Sequence, residues 1–173
     1  MPAATFIPID QYLRQTYRPD CDFLDGEIRE RNLGEQPHAF VQAIVGSMFY
    51  QQRKEWSVVA GISLRIRVSA TRIRVADICV MRRSDPPDPI VLVAPLICVE
   101  VLSSEDTLEL LRERIDDYLN MGTKHVWLID PFNRKAWAAT PSGYDEIGTG
   151  EFVVPGTTIR ISPTEIFSEL DER

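Results

Sequence analysis

The sequence predicts an α/β domain built on a mixed β-sheet, and three observations carry that prediction. The run "LICVEVL" (96–102) has the length and apolar character of a strand covered on both faces. It is followed by the best amphipathic helix in the chain and then by a second buried strand, "HVWLID" (125–130). Upstream, residues 58–81 form a block rich in β-branched side chains and punctuated by Gly and polar turns. The resulting order of helix, hairpin, helix, β block, helix and strand describes helices packed on a mixed sheet.

The elements follow in chain order. A first helix is expected over about residues 9–17. "CDFLDGEIRER" places Asp-Gly between two short extended runs, a signal for a tight hairpin. Val41, Ile44, Val45 and Met48 recur at helical spacing, predicting a helix over 37–54 with one apolar face. Val58–Val59, Ser63–Val68, Arg72–Val75 and Asp77–Met81 read as short strands. "RRSDPPDP" (82–89) reads as a loop. In "SSEDTLELLRERIDDYLNMG", Ser103 with Asp106 has the spacing of a capping box, and Gly122 can end the helix. Leu108, Leu111, Ile115, Tyr118 and Leu119 form its apolar stripe. "KAWAAT" pairs with "HVWLID" as a hairpin across "PFNR". Short β pieces and a terminal helix, "SPTEIFSEL", complete the chain. With 173 residues and no repeat, low-complexity block or linker, one domain spanning 1–173 is expected.

Composition narrows the function classes. The apolar share is 44% and the charged share 26%, ordinary for a soluble globular protein, and no apolar stretch approaches a membrane span. "MPAATFIPIDQYL" lacks a basic region followed by an apolar one, so no secretion signal is expected. Cys21, Cys79 and Cys98 are odd in number and lack C-x-x-C spacing, which argues against a disulfide framework and suits a cytoplasmic location. The net charge of −7 weighs against nucleic acid as a partner, but the charge is uneven. "SLRIRVSATRIRVADICVMRR" carries six arginines and one acid. Arg65, Arg67, Arg72 and Arg74 recur at period two. They suit either a phosphate-tracking ladder or an acid-paired sheet surface.

Two acids interrupt apolar strands: Asp77 in "VADICVM" and Glu100 in "ICVEVL". Consecutive strands of one sheet would set them side by side, where each raises the other's pKa unless a cation intervenes. That cation is either a hard divalent ion, Mg²⁺ or Mn²⁺, or a neighbouring arginine.

The motifs "CDFLDGE", "RVADICVM", "PLICVEVLSSED", "RERIDDYLNMG", "VWLIDP" and "VVPGTTIRIS" occur in the order found in the Uma-type (Uma-two) family. Over about residues 8–167 the chain resembles that family, part of the PD-(D/E)XK superfamily of restriction-endonuclease-like folds. The resemblance implies a central mixed sheet flanked by helices and Mg- or Mn-dependent cleavage of phosphodiesters, in DNA rather than RNA. Asp77 and Glu100 match the metal-binding acids, with Ala76 in place of the motif's proline. Asp22 stands where the family has a glutamate, an additional acid near the metal. His38 matches a histidine at the start of the family's long helix. The superfamily's lysine, two residues after the glutamate, is replaced by Leu102. Arg114 with Tyr118 matches a basic residue and tyrosine that the group carries on the next helix. Arginine keeps the charge but cannot act as a general base. The missing lysine and acidic character suit an alternative: a degenerate relative that binds nucleic acid or a protein without cleaving. Superfamily nucleases often dimerise, but no residue in the sequence fixes a homodimer interface.

Overall fold

The computed structural model describes residues 6–31 and 35–172. Four helices are present among them: α1 (Ile9–Leu13), α2 (Gln36–Gln52), α3 (Leu108–Met121) and α4 (Pro163–Asp171). The strands are β1 (Asp22–Leu24), β2 (Glu27–Arg29), β3 (Val58–Arg67), β4 (Arg72–Arg82) and β5 (Ile97–Val101). They continue with β6 (His125–Asp130), β7 (Lys135–Thr140), β8 (Gly143–Glu146), β9 (Phe152–Val153) and β10 (Arg160–Ile161).

Eight strands form one sheet in the order β2-β1-β4-β5-β6-β7-β8, with β3 also paired to β4. β5 and β6 run parallel and are joined through α3, while the other paired strands are antiparallel. This is the mixed sheet that the sequence predicts. The β1–β2 hairpin turns on Asp25 and Gly26, whose φ angles are 53° and 100°. A two-residue turn with both central residues at positive φ matches the twist of the flanking strands, which is why Asp-Gly serves there.

Alternation along β5 divides the core. Ile97, Val99 and Val101 join Val41, Val45 and Phe49 of α2 and Ile166 of α4 on one face. Cys98 joins Leu111, Ile115 and Tyr118 of α3 on the other. Cys79 and Cys98 are cross-strand neighbours, fully buried and free, so both fill core space as small apolar residues. Among the described residues no helix is long and apolar enough to cross a membrane.

Three element boundaries differ from expectation. The first helix covers only Ile9–Leu13, because the chain then turns back and Tyr17 stacks on Tyr12 with ring centroids 5.4 Å apart. The four short β segments merge into two long strands. Ser63 adopts φ 54°, yet Ile62↔Ile78 and Leu64↔Ala76 stay in register on either side, so pairing runs through the kink. The helix after β5 starts at Leu108 rather than next to Ser103. Asp106 accepts the Ser103 N–H at 2.8 Å, closing a separate turn, and Thr107 is the N-cap, accepting from the Leu110 N–H at 3.3 Å. Gly122, at φ 111°, ends that helix in the left-handed conformation glycine favours.

Candidate active site

Neighbouring strands bring the two acids near each other. β4 and β5 pair as Val80↔Ile97, Cys79↔Cys98 and Ile78↔Val99. Asp77 and Glu100 follow just beyond the last of these pairs, close enough for the charge of Asp77 to bear on Glu100, and the Val101 N–H reaches the Asp77 carboxylate. Both are essentially without solvent exposure. Their partners come from opposite sides of the sheet.

Asp77 is served by α2 and by the segment after β2. Arg31 donates from Nη2 to Oδ1 at 2.5 Å, and Gln42 Nε2 donates to the same oxygen at 3.2 Å. Oδ2 accepts the Val101 N–H at 2.9 Å and lies 3.2 Å from His38 Nε2. His38 and Gln42 are four residues apart, so one helix face supplies both. Glu100 is served by α3. Arg114 Nη1 donates to Oε2 at 2.9 Å and Tyr118 OH to Oε1 at 2.7 Å. These too are four residues apart on one helix face. Arg114 therefore reaches inward over the sheet instead of pairing with its neighbours on the helix surface.

These surroundings push the two acids apart. Burial disfavours the charge on Asp77, but the hydrogen bond from His38 and the charge of Arg31 overcome it and hold the carboxyl well below the usual range. Burial also disfavours the charge on Glu100, and there it prevails over Arg114 and Tyr118, raising the carboxyl to about 7. For His38, burial favours the neutral ring, while the bond to Asp77 outweighs it and raises its pKa. Two adjacent carboxyls separated in this way are suited to different roles, one permanently charged and one able to exchange a proton near neutrality.

Beside Asp77 lies a polar crevice lined by Arg31, His38, Asp77, Val101, Ser103, Asp106 and Arg114. Its volume of about 10 Å³ holds one water or small ion. Arg31 Nε, His38 Nδ1 and Arg114 Nε are buried without a hydrogen-bond partner.

The structure thus gathers Asp77, Arg114 and His38 at one crevice, and Glu100, outside its lining, is bonded to Arg114. Asp22 lines an adjoining cavity with Arg31, Asp106 and Arg114. Its oxygens accept Arg74 Nη1 at 2.9 Å and the Val75 N–H at 2.8 Å, fastening β1 to β4. Three of the four ladder arginines are acid-paired: Arg65 binds Asp20, while Arg72 and Arg74 both bind Glu113 and Asp117 of α3; Arg67 donates to the Ala70 carbonyl. Leu102 faces an apolar groove with Leu111, Ile115 and Leu128, not the crevice. Sequence reasoning missed Arg31 and Gln42. Gln42 carries a legible signal, being four residues after His38; Arg31 carries none, because its reach depends on how the hairpin is laid over the sheet.

The residues fit a divalent ion in donor type. Mg²⁺ is bound through one or two carboxylates, with waters and substrate phosphates completing its shell, and Asp77 and Glu100 would supply two. Among the described residues no group of three or more His, Cys, Asp or Glu side chains is arranged to hold a metal. In the present arrangement Arg31 and Arg114 neutralise the pair.

Comparison with known proteins identifies the fold and the family. The fold is that of a crystal structure described as "a putative nuclease belonging to DUF820" from Anabaena variabilis, at a TM-score of 0.84 and 24% identity. The match covers 95% of this chain and 99% of that one, and the fold is restriction-endonuclease-like. No curated protein sequence matches the chain. A family model described as "Uma2: Putative restriction endonuclease" matches residues 9–167, and the chain belongs to that family.

Proposed function

We propose that the protein is a divalent-metal-dependent endonuclease that hydrolyses phosphodiester bonds, with DNA as substrate. The observation that carries this reading is the proximity of two buried acids, Asp77 and Glu100, with Arg114 and Tyr118 of α3 closing on Glu100. Asp77 and Glu100 would hold Mg²⁺ or Mn²⁺. When bound, such an ion supplies Lewis acidity and lowers the pKa of water in its shell. Gln42 and the Val101 N–H fix the Asp77 carboxylate. Tyr118 orients Glu100. Arg114 contributes a permanent charge against the negative charge that builds on phosphorus, and it leaves proton removal to other groups. His38, bonded to Asp77, can carry a proton at the rim of the crevice. Substrate DNA is inferred from the family.

The test is nicking of supercoiled plasmid with Mg²⁺ or Mn²⁺. Cleavage is expected to require the ion and to disappear in Asp77→Ala and Glu100→Ala. Metal-independent cleavage, or cleavage that persists in both variants, rules the site out.

One observation favours a second reading, a protein that binds nucleic acid without cutting it. Every oxygen of the acidic pair already accepts a hydrogen bond, and Leu102 stands where the superfamily's lysine would be. That reading gains if the protein binds oligonucleotides equally well with and without Asp77 and cuts none of them.

A further inference from the structure

Arg31 and Arg114 both neutralise the acidic pair, but they are held differently. Arg114 projects from the middle of a fourteen-residue helix, next to Tyr118 on the same carboxylate. Arg31 lies two residues beyond β2, a strand of three residues. It bonds Asp77 through one terminal nitrogen, at 2.5 Å, and its Nε has no partner although it is buried. The oxygen it takes is significant. Asp77 Oδ2 is committed to the Val101 amide and His38, which could leave only by disturbing β5 or α2. Oδ1 is shared by Arg31 and the neutral Gln42, so it is the oxygen a cation could claim.

Resting on the metal-dependent reading above, we propose that Arg31 is an internal competitor for the divalent ion, its guanidinium occupying the Asp77 oxygen that the ion requires. A guanidinium and a divalent cation cannot share that oxygen. Both are positive, and their repulsion across a single carboxylate oxygen opposes joint occupancy. Binding of the ion therefore displaces Arg31 from Asp77, and the apparent affinity is lowered by the fraction of molecules in which Arg31 is in place. The arrangement makes the site ion-poor at rest and keeps both buried acids neutralised until an ion arrives.

The test is calorimetric titration of the full-length protein with MnCl₂, checked by electron paramagnetic resonance of free Mn²⁺. Arg31→Met removes the charge and keeps the bulk; Arg31→Lys keeps the charge. Arg31→Met is expected to tighten Mn²⁺ binding by about tenfold or more, as for an occupant present in at least nine molecules of ten, and Arg31→Lys to stay close to wild type. Arg31→Gln serves as the second neutral variant if Arg31→Met does not fold, as judged by circular dichroism. If the folded neutral variant binds Mn²⁺ no tighter than wild type while Asp77→Asn abolishes binding, the metal site stands and the competitor role is overturned. If neither wild type nor the folded neutral variant binds Mn²⁺, the metal reading falls and the competitor role with it.

Discussion

Two buried clusters of charge lie within one fold, and they are built on different plans. In the first, Arg72 and Arg74 of β4 meet Asp22 of β1 and Glu113 and Asp117 of α3. Each arginine contacts several carboxylates, and even the nitrogens lacking a hydrogen bond lie 3.5–3.6 Å from a carboxylate. In the second, at Asp77 and Glu100, each acid has one arginine bound through one nitrogen, and three buried nitrogens around the crevice have no hydrogen-bond partner. The first cluster ties strand to strand and sheet to helix. The second leaves capacity unused, which is what a site that exchanges partners needs. Buried charge alone therefore does not mark a function; what sets the second cluster apart is that its two acids take different arginines, each with a buried unbonded Nε.

Substitutions can break or sharpen that contrast. The largest effect is expected at Arg74, only 2% exposed and bonded to both Asp22 and Asp117. Arg74→Met strands buried carboxylates on two elements and should cost about 3–5 kcal/mol in urea unfolding. A loss below 1 kcal/mol would mean that this cluster, too, has slack.

A smaller, pH-dependent effect is expected at Glu100. Its pKa of about 7 in the folded protein exceeds the ordinary 4.5, so between those values the folded state holds a proton that the unfolded state has lost. Its contribution to stability is thus complete below about pH 4.5 and is lost as the pH rises through about 7. The contribution changes by at most about 1.4 kcal/mol per pH unit. Glu100→Gln removes this slope. The stability of wild type relative to the variant should fall from pH 5 to pH 7 and level off near pH 8, measured by urea titration at each pH. A difference that does not change with pH would place Glu100 at an ordinary pKa.

The smallest effect is expected at Arg29, whose bond to Glu113 is partly exposed on both sides. Arg29→Ala should cost no more than about 1 kcal/mol, and the cost should shrink in high salt.

Much of this was legible in the sequence because strands and helices have fixed periods. That Asp77 and Glu100 lie on neighbouring strands could be read from two apolar runs, since pairing of consecutive strands follows from the pattern. Arg114 and Tyr118 could be assigned by resemblance and then proved consistent with helical spacing. The Asp-Gly turn and Gly122 were readable because few residues suit positive φ. What escaped depended on tertiary placement. Arg31 acts across 46 positions of sequence, from a segment whose direction no local pattern encodes. The arginine ladder was visible as a pattern, but its acid partners sit on β1, α3 and the segment before β1, and only packing selects them. Asp22 was assigned by resemblance, and its bond to Arg74 is silent in one dimension.

The Val101 amide has one further use. It is the next backbone N–H after Glu100 and donates to Asp77, so a single proton reads both halves of the pair. In an amide NMR spectrum that resonance should be displaced when Asp77 changes partner, whether the newcomer is a metal, a proton or nothing. The fold has thus placed an observable nucleus beside the acidic pair, one that reports on Asp77 without any assay of cleavage.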